Sequence, residues 1–161
     1  MGRPVRIREF ARALTGITSP TMPERTRLGN DQARPFGIIS IDHGGNISTF
    51  SPELLGAQGA RHSSFIFGNV LEGELVDILD NRAFREIAQE VAEGVGMCAR
   101  QCAYFNYCGG GAPVNKLYEN GSFASTETMF CRNSIQIPIQ ILLNDLEAQL
   151  GIGSKNLRKH S

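Results

Sequence analysis

Four closely grouped cysteines place the strongest constraint on how this chain folds. Cys98, Cys102, Cys108 and Cys131 are its only cysteines, and they lie within 34 of its 161 residues with the spacing C-x3-C-x5-C-x22-C. The segment that carries them is rich in Gly, Asn and Ser, and such a segment cannot build a hydrophobic core by itself. We therefore expect an internal crosslink to hold it, and a bound metal centre is one.

Composition and charge indicate an ordinary globular chain. Lys plus Arg and Asp plus Glu number 16 each, so the charge balance gives no support for a nucleic-acid partner. Basic residues crowd the first 35 positions, where they form either a solvated surface or a docking surface for an acidic partner. We find no apolar run near the roughly 18 residues of a membrane span and no secretory signal. We therefore predict a cytoplasmic protein without a membrane partner, and its thiols would stay reduced.

Three kinds of crosslink are compatible with the cysteine spacing. Iron–sulfur clusters use shells of four cysteines with varied spacing. A structural zinc site also uses four thiolates, but it favours two close pairs, whereas this chain has three close cysteines and one distant one. Two disulfides are a third alternative, and a reducing compartment opposes them. The spacing favours a cluster, with zinc as the alternative.

The hydrophobic pattern predicts an α+β fold with a small antiparallel hairpin, several helices and an irregular cysteine-rich segment. Residues 36–42 and 46–50 are rich in strand-forming residues and flank His43-Gly44-Gly45, whose glycines allow the positive φ of a tight turn. We expect residues 65–70 to add a short strand and residues 74–80 a short helix.

Three further helices are predicted from apolar spacing. One covers residues 6–14, with Ile7, Phe10, Ala11 and Leu14 on one face. A second covers residues 82–93, and Gly94 and Gly96 are expected to end it. The last follows Cys131, with Pro138 tolerated only near its first turn. We divide the chain into an irregular basic segment (residues 1–35), a domain (36–150) and a tail (151–161).

The residues beside the cysteines indicate how a metal centre would be enclosed. Gly109-Gly110-Gly111 would let the backbone fold closely around an inorganic group and point N–H donors at its sulfurs, or it is simply a flexible turn. The aromatic residues between Cys102 and Cys108 would either shield the centre or serve as ordinary core; they are Tyr104, Phe105 and Tyr107.

Other chemistry-bearing residues have plainer interpretations. Glu119 and Glu127 are expected to cap turns and to pair with Lys116 or Arg132. His43 is expected to be exposed in its turn. The sequence contains no HExxH pair, nucleophile elbow, P-loop or dinucleotide fingerprint, so we assign no catalytic residue.

Two stretches of the chain resemble the SPASM domain of radical SAM peptide maturases. They run over residues 98–116 and 118–132, and residues 36–56 are similar to the stretch that opens that domain. The resemblance covers about residues 35–145. It is strongest to the maturases that form cyclophane crosslinks in ribosomally made, glycine-rich precursor peptides.

The resemblance implies a cofactor and its ligands. SPASM domains hold two auxiliary four-iron–four-sulfur (4Fe-4S) clusters, and the four cysteines of this chain fall at the ligand positions of the second. Their first spacing is three residues rather than the usual two. The first cluster would need a cysteine where Ala112 stands and others around the hairpin, where this chain has none. One 4Fe-4S cluster is therefore expected.

The catalytic half of such a maturase has no counterpart here. Radical SAM enzymes hold their reducing cluster on C-x3-C-x2-C within a partial α/β barrel, and this chain lacks that triplet. Alone, it is not expected to cleave S-adenosylmethionine. The resemblance implies a radical SAM core protein, a ribosomal precursor peptide, or both as partners, and residues 1–35 would be the remnant of a barrel end. The alternatives are a stand-alone peptide-binding module with a structural four-cysteine zinc site, and a gene fragment without function.

Overall fold

The computed structural model describes residues 7–18, 30–59 and 61–151. Within them the chain forms a three-stranded antiparallel sheet and six α-helices, which confirms the predicted α+β class. Residues 152–161 of the predicted tail, with His160, and parts of the basic N-terminal segment lie outside the described residues.

The predicted hairpin forms two of the three strands of the sheet, and its second strand is the central one. Strand β1 (Ile39–Ile41) pairs with β2 (Asn46–Thr49), with Ile39 opposite Thr49 and Ile41 opposite Ile47. In the turn, Gly45 has φ of +82°, and the Asp42 carboxylate accepts from the Gly44 N–H at 2.8 Å. The third strand, β3 (Gly68–Asn69), pairs with β2 and is shorter than predicted.

The helices follow in chain order, and three short ones lie within residues 98–131, where the sequence predicts an irregular segment. They are α1 (Arg8–Thr18), α2 (Arg82–Gln101), α3 (Phe105–Cys108), α4 (Pro113–Asn120), α5 (Met129–Cys131) and α6 (Ile137–Gln149). A π-helical turn (Arg132–Gln136) joins α5 to α6, and Pro138 lies in the first turn of α6, as predicted. Short 3₁₀ helices cover Asp31–Ala33, Pro52–Leu54 and Leu75–Asp80. No helix in these ranges is long and apolar enough to cross a membrane.

Helix α2 does not end at its glycines, so that prediction is wrong. The helix begins at the Asn81 cap, whose side chain accepts from the Phe84 N–H, and it continues through Gly94 and Gly96 to Gln101. Gly94 is buried, and a Cβ placed there would collide with the Phe123 carbonyl oxygen. The glycine thus permits a close approach of two backbones, and the continued helix carries Cys98 in its last turn.

Helix α1 packs on α6, but through a different face from the one predicted. Its buried residue is Ala13, while Ile7 and Leu14 are exposed. Ala13 also lines the cavity described below, so α1 turns a small side chain toward it.

A single hydrophobic core lies between the sheet and α2. It consists of Ile47, Phe50, Leu54, Phe65, Phe67, Ile78, Phe84, Ile87, Val91, Val114 and Phe123. Phe65 and Phe123 meet edge to face, with ring centroids 5.9 Å apart. Val114 and Phe123 belong to the segment between the cysteines, so the core anchors that segment at two points.

Candidate metal centre

The fold brings all four cysteines to one cavity of about 920 Å³. Cys98 lies in the last turn of α2, and Cys102 caps that helix with its N–H 2.9 Å from the Cys98 carbonyl oxygen. Cys108 ends α3, and Cys131 ends α5. All four are free thiols, so they are not joined as disulfides.

The thiols are close enough to influence one another. Burial raises the pKa of Cys108, and charge on Cys131, Cys102 and Cys98 raises it further. The N–H of Gly110 opposes this by donating to Cys108. Burial likewise raises the pKa of Cys131, with added contributions from Cys102 and Cys98. Both raised pKa values favour the neutral form of the Cys108 and Cys131 thiols.

The thiols surround the cavity rather than meet at a point. Among the residues that the structure describes, no three His, Cys, Asp or Glu side chains lie close enough to hold one metal ion. With Zn–S bonds of about 2.3 Å, the sulfurs of a tetrahedral zinc site would be about 3.8 Å apart. A four-iron cluster is several atoms wide and holds its cysteines further apart.

The three glycines form a defined turn beside Cys108. Gly109, Gly110 and Gly111 have φ of +60°, +97° and +72°, a backbone region that favours glycine. The Asn30 side-chain amide donates to the Gly111 carbonyl at 2.6 Å and so links this turn to the N-terminal part of the chain. The Cys98 thiol donates to the Gly110 carbonyl oxygen at 3.9 Å, so this turn contacts the first cysteine of the segment.

Two carboxylates and a threonine organise the end of the segment. The Cys131 N–H donates to the Thr128 hydroxyl at 3.0 Å. The Glu119 carboxylate, on α4, accepts from the Met129 N–H and from the Phe130 N–H at 3.3 Å. Glu119 therefore caps α5, as predicted.

Glu127 pairs with Arg132, which is also as predicted. It further accepts from the Gln136 side-chain amide at 2.9 Å, and that same amide lies 3.6 Å from the Cys131 sulfur. These contacts tie the π-helical turn to the residue that ends α5.

Lys116 differs from the prediction, because it pairs with no carboxylate among the described residues. Its side chain is only 4% exposed, and Nζ donates to the Gly94 carbonyl at 2.9 Å and to the Cys98 sulfur at 3.4 Å. A lysine on a short amphipathic helix is normally solvated, so the sequence carries no signal for this contact.

The aromatic residues and histidines divide between the cavity and the core. Tyr104 and Tyr107 line the cavity, although Tyr107 is exposed, and the Tyr104 hydroxyl donates to Gln140 at 3.2 Å. His43 is exposed, as expected. His62 lies away from the cysteines, where it contacts the Phe123 ring.

The raised thiol pKa values predict a pH-dependent stability for the apo-protein. In the unfolded chain a thiol has a pKa of about 8.5. Below that pH the thiols are protonated in both the folded and the unfolded state, so their contribution to the free energy of unfolding is fully present. Above it the unfolded chain ionises first, so the free energy of unfolding should fall as the pH rises through the higher folded pKa of Cys108 and Cys131. Denaturant unfolding between pH 7 and 10 measures this. The apo Cys108→Ser variant should show a smaller fall, and an equal fall would contradict the assignment.

Comparison with known proteins finds a relative of much greater length. The chain is similar to an uncharacterized protein (sll1766) of Synechocystis sp., with 44% identity over 147 residues. The match covers 91% of this chain and 36% of the relative, so the chain spans about a third of that protein's length. No family model matches the chain, and no solved structure matches it.

Proposed function

We propose that this chain is a SPASM-type domain that binds one 4Fe-4S cluster through Cys98, Cys102, Cys108 and Cys131. It would serve a radical SAM peptide-modifying system in the cytoplasm without a SAM-cleaving core of its own. The observation that carries the proposal is the gathering of four free thiols around one cavity from three helix ends and a helix cap.

The surroundings of the thiols suit an anionic, multi-atom group. Four thiols that line one cavity supply the donor set that a four-iron cluster requires. The Lys116 ammonium group faces the Cys98 sulfur, and such a donor stabilises the negative charge of a thiolate-bound cluster. When bound, the cluster would supply one-electron chemistry and a rigid link between α2, α3 and α5.

The proposed partners are a radical SAM core protein, a ribosomal precursor peptide, or both. The resemblance to cyclophane-forming maturases supports them, and S-adenosylmethionine would bind only to that core. The relative carries its matching region within a much longer chain, which is consistent with a domain that works beside another.

Anaerobic reconstitution with iron and sulfide tests the cofactor. We expect a brown protein with about four irons and four sulfides per chain. A colourless protein that takes up zinc alone would reject the cluster and favour the peptide-binding module with a structural zinc site. Capture of the separate core protein or the precursor peptide by the reconstituted domain, and not by the apo form, tests the partners.

A further inference from the structure

Lys116 places a positive charge in the wall of the cysteine cavity. Its side chain is 96% buried, and it lines the same cavity as the four cysteines. In the described part of the chain its polar partners are the Gly94 carbonyl oxygen and the Cys98 sulfur. Burying an ammonium group is unfavourable unless an opposite charge lies beside it. The Gly94 carbonyl oxygen provides only a partial negative charge.

A thiolate-bound iron–sulfur cluster would provide the missing charge. Four cysteine thiolates together outweigh the positive charge of the iron–sulfide core, so the bound cluster is anionic overall. Lys116 lies 3.4 Å from one of the ligand sulfurs, close enough for a charge-assisted hydrogen bond to it. The contact is also sheltered from water, so salt would screen it weakly.

The fold holds this ammonium group rigidly. Lys116 lies on α4, whose neighbouring residue Val114 is packed into the hydrophobic core. Gly94 has no side chain, and a Cβ there would lie 3.2 Å from Nζ. Both Cys98 and Gly94 belong to α2, so one helix presents the two partners and another presents the lysine.

We propose that Lys116 is the buried counter-charge of the cluster and that it acts through the Cys98 sulfur. This deepens the proposed function and rests on it. The positive charge favours retention of the anionic cluster. It also favours the reduced state, because reduction adds a negative charge beside the ammonium group. Lys116 is a positioning and tuning residue and not a catalytic one.

Three variants separate charge from structure. Lys116→Met removes both charge and donor, Lys116→Gln keeps a neutral donor, and Lys116→Arg keeps the charge. We expect the Lys116→Met and Lys116→Gln variants to shift the reduction equilibrium at least tenfold toward the oxidised cluster. For a one-electron couple this is a decrease in midpoint potential of about 59 mV. The Lys116→Arg variant should keep a midpoint potential close to that of the unaltered chain. Dye-mediated redox titration of the reconstituted protein measures the potential, and iron content after exposure to a chelator measures retention.

The outcomes distinguish this inference from the proposed function. If the wild-type chain binds no cluster, both are overturned. If it binds one and the Met and Gln variants share its potential and its iron retention, only the role of Lys116 is overturned. A purely structural lysine would lower the unfolding temperature of the apo-protein in these variants and leave the potential unchanged. Should the Met variant fail to fold, the Gln variant carries the test, because it retains a donor for the Gly94 carbonyl.

Discussion

Replacing Cys108 with Ser is expected to lower cluster retention more than about tenfold. A serine hydroxyl does not supply the thiolate that iron prefers, and Cys108 directly precedes the glycine turn. Iron and sulfide analysis after anaerobic reconstitution, with the visible absorption of the cluster, measures the loss.

Ala103→Ser is the matched control for this variant. It adds the same hydroxyl to an exposed position in the same segment and leaves all four thiols in place. It should bind iron and sulfide as the unaltered chain does. Full iron and sulfide content in the Cys108→Ser variant would remove Cys108 from the ligand set.

Replacing Gly94 with Ala should destabilise the domain by about 3 kcal/mol, at the upper end of the usual cost of overpacking. The new methyl group would meet the Phe123 carbonyl oxygen, which is backbone and cannot turn aside. It would also approach the Lys116 ammonium, so the contact with Cys98 should be disturbed. Denaturant unfolding of the apo-protein measures the change in the free energy of unfolding.

Gly96→Ala on the same helix provides the control and should have the opposite sign. The group nearest to its new methyl is the Arg100 guanidinium at 3.3 Å, the mobile end of a long side chain. Alanine favours a helix over glycine by about 1 kcal/mol, so this variant should be more stable than the parent. Equal effects of the two substitutions would show that helix propensity, and not the contact with Phe123, determines how Gly94→Ala changes the free energy of unfolding.

Local sequence signals predicted much of the secondary structure. The Gly44-Gly45 turn and its flanking strands, the Leu75–Asp80 helix and the position of Pro138 in α6 each depend on residues near one another in the chain. The caps formed by Glu119 and the pair between Glu127 and Arg132 were predicted for the same reason. Short-range geometry is largely decided by which φ angles and hydrogen bonds neighbouring residues permit.

Contacts between distant segments explain the failures. A glycine after an amphipathic run usually marks a helix end, and this local rule predicts the wrong end at Gly94. It lies inside α2 because residue 123, far along the chain, packs its carbonyl there. The face of α1 was wrong because α6 decides it.

The sequence by itself determined the α+β class, the hairpin and the clustering of four cysteines in one segment. Only the tertiary structure decided that the thiols line one cavity, that α2 extends to carry Cys98, and that Lys116 is buried against its sulfur. Residue spacing governs local geometry, whereas the burial of a charge depends on which distant backbone closes over it, and no local pattern records that.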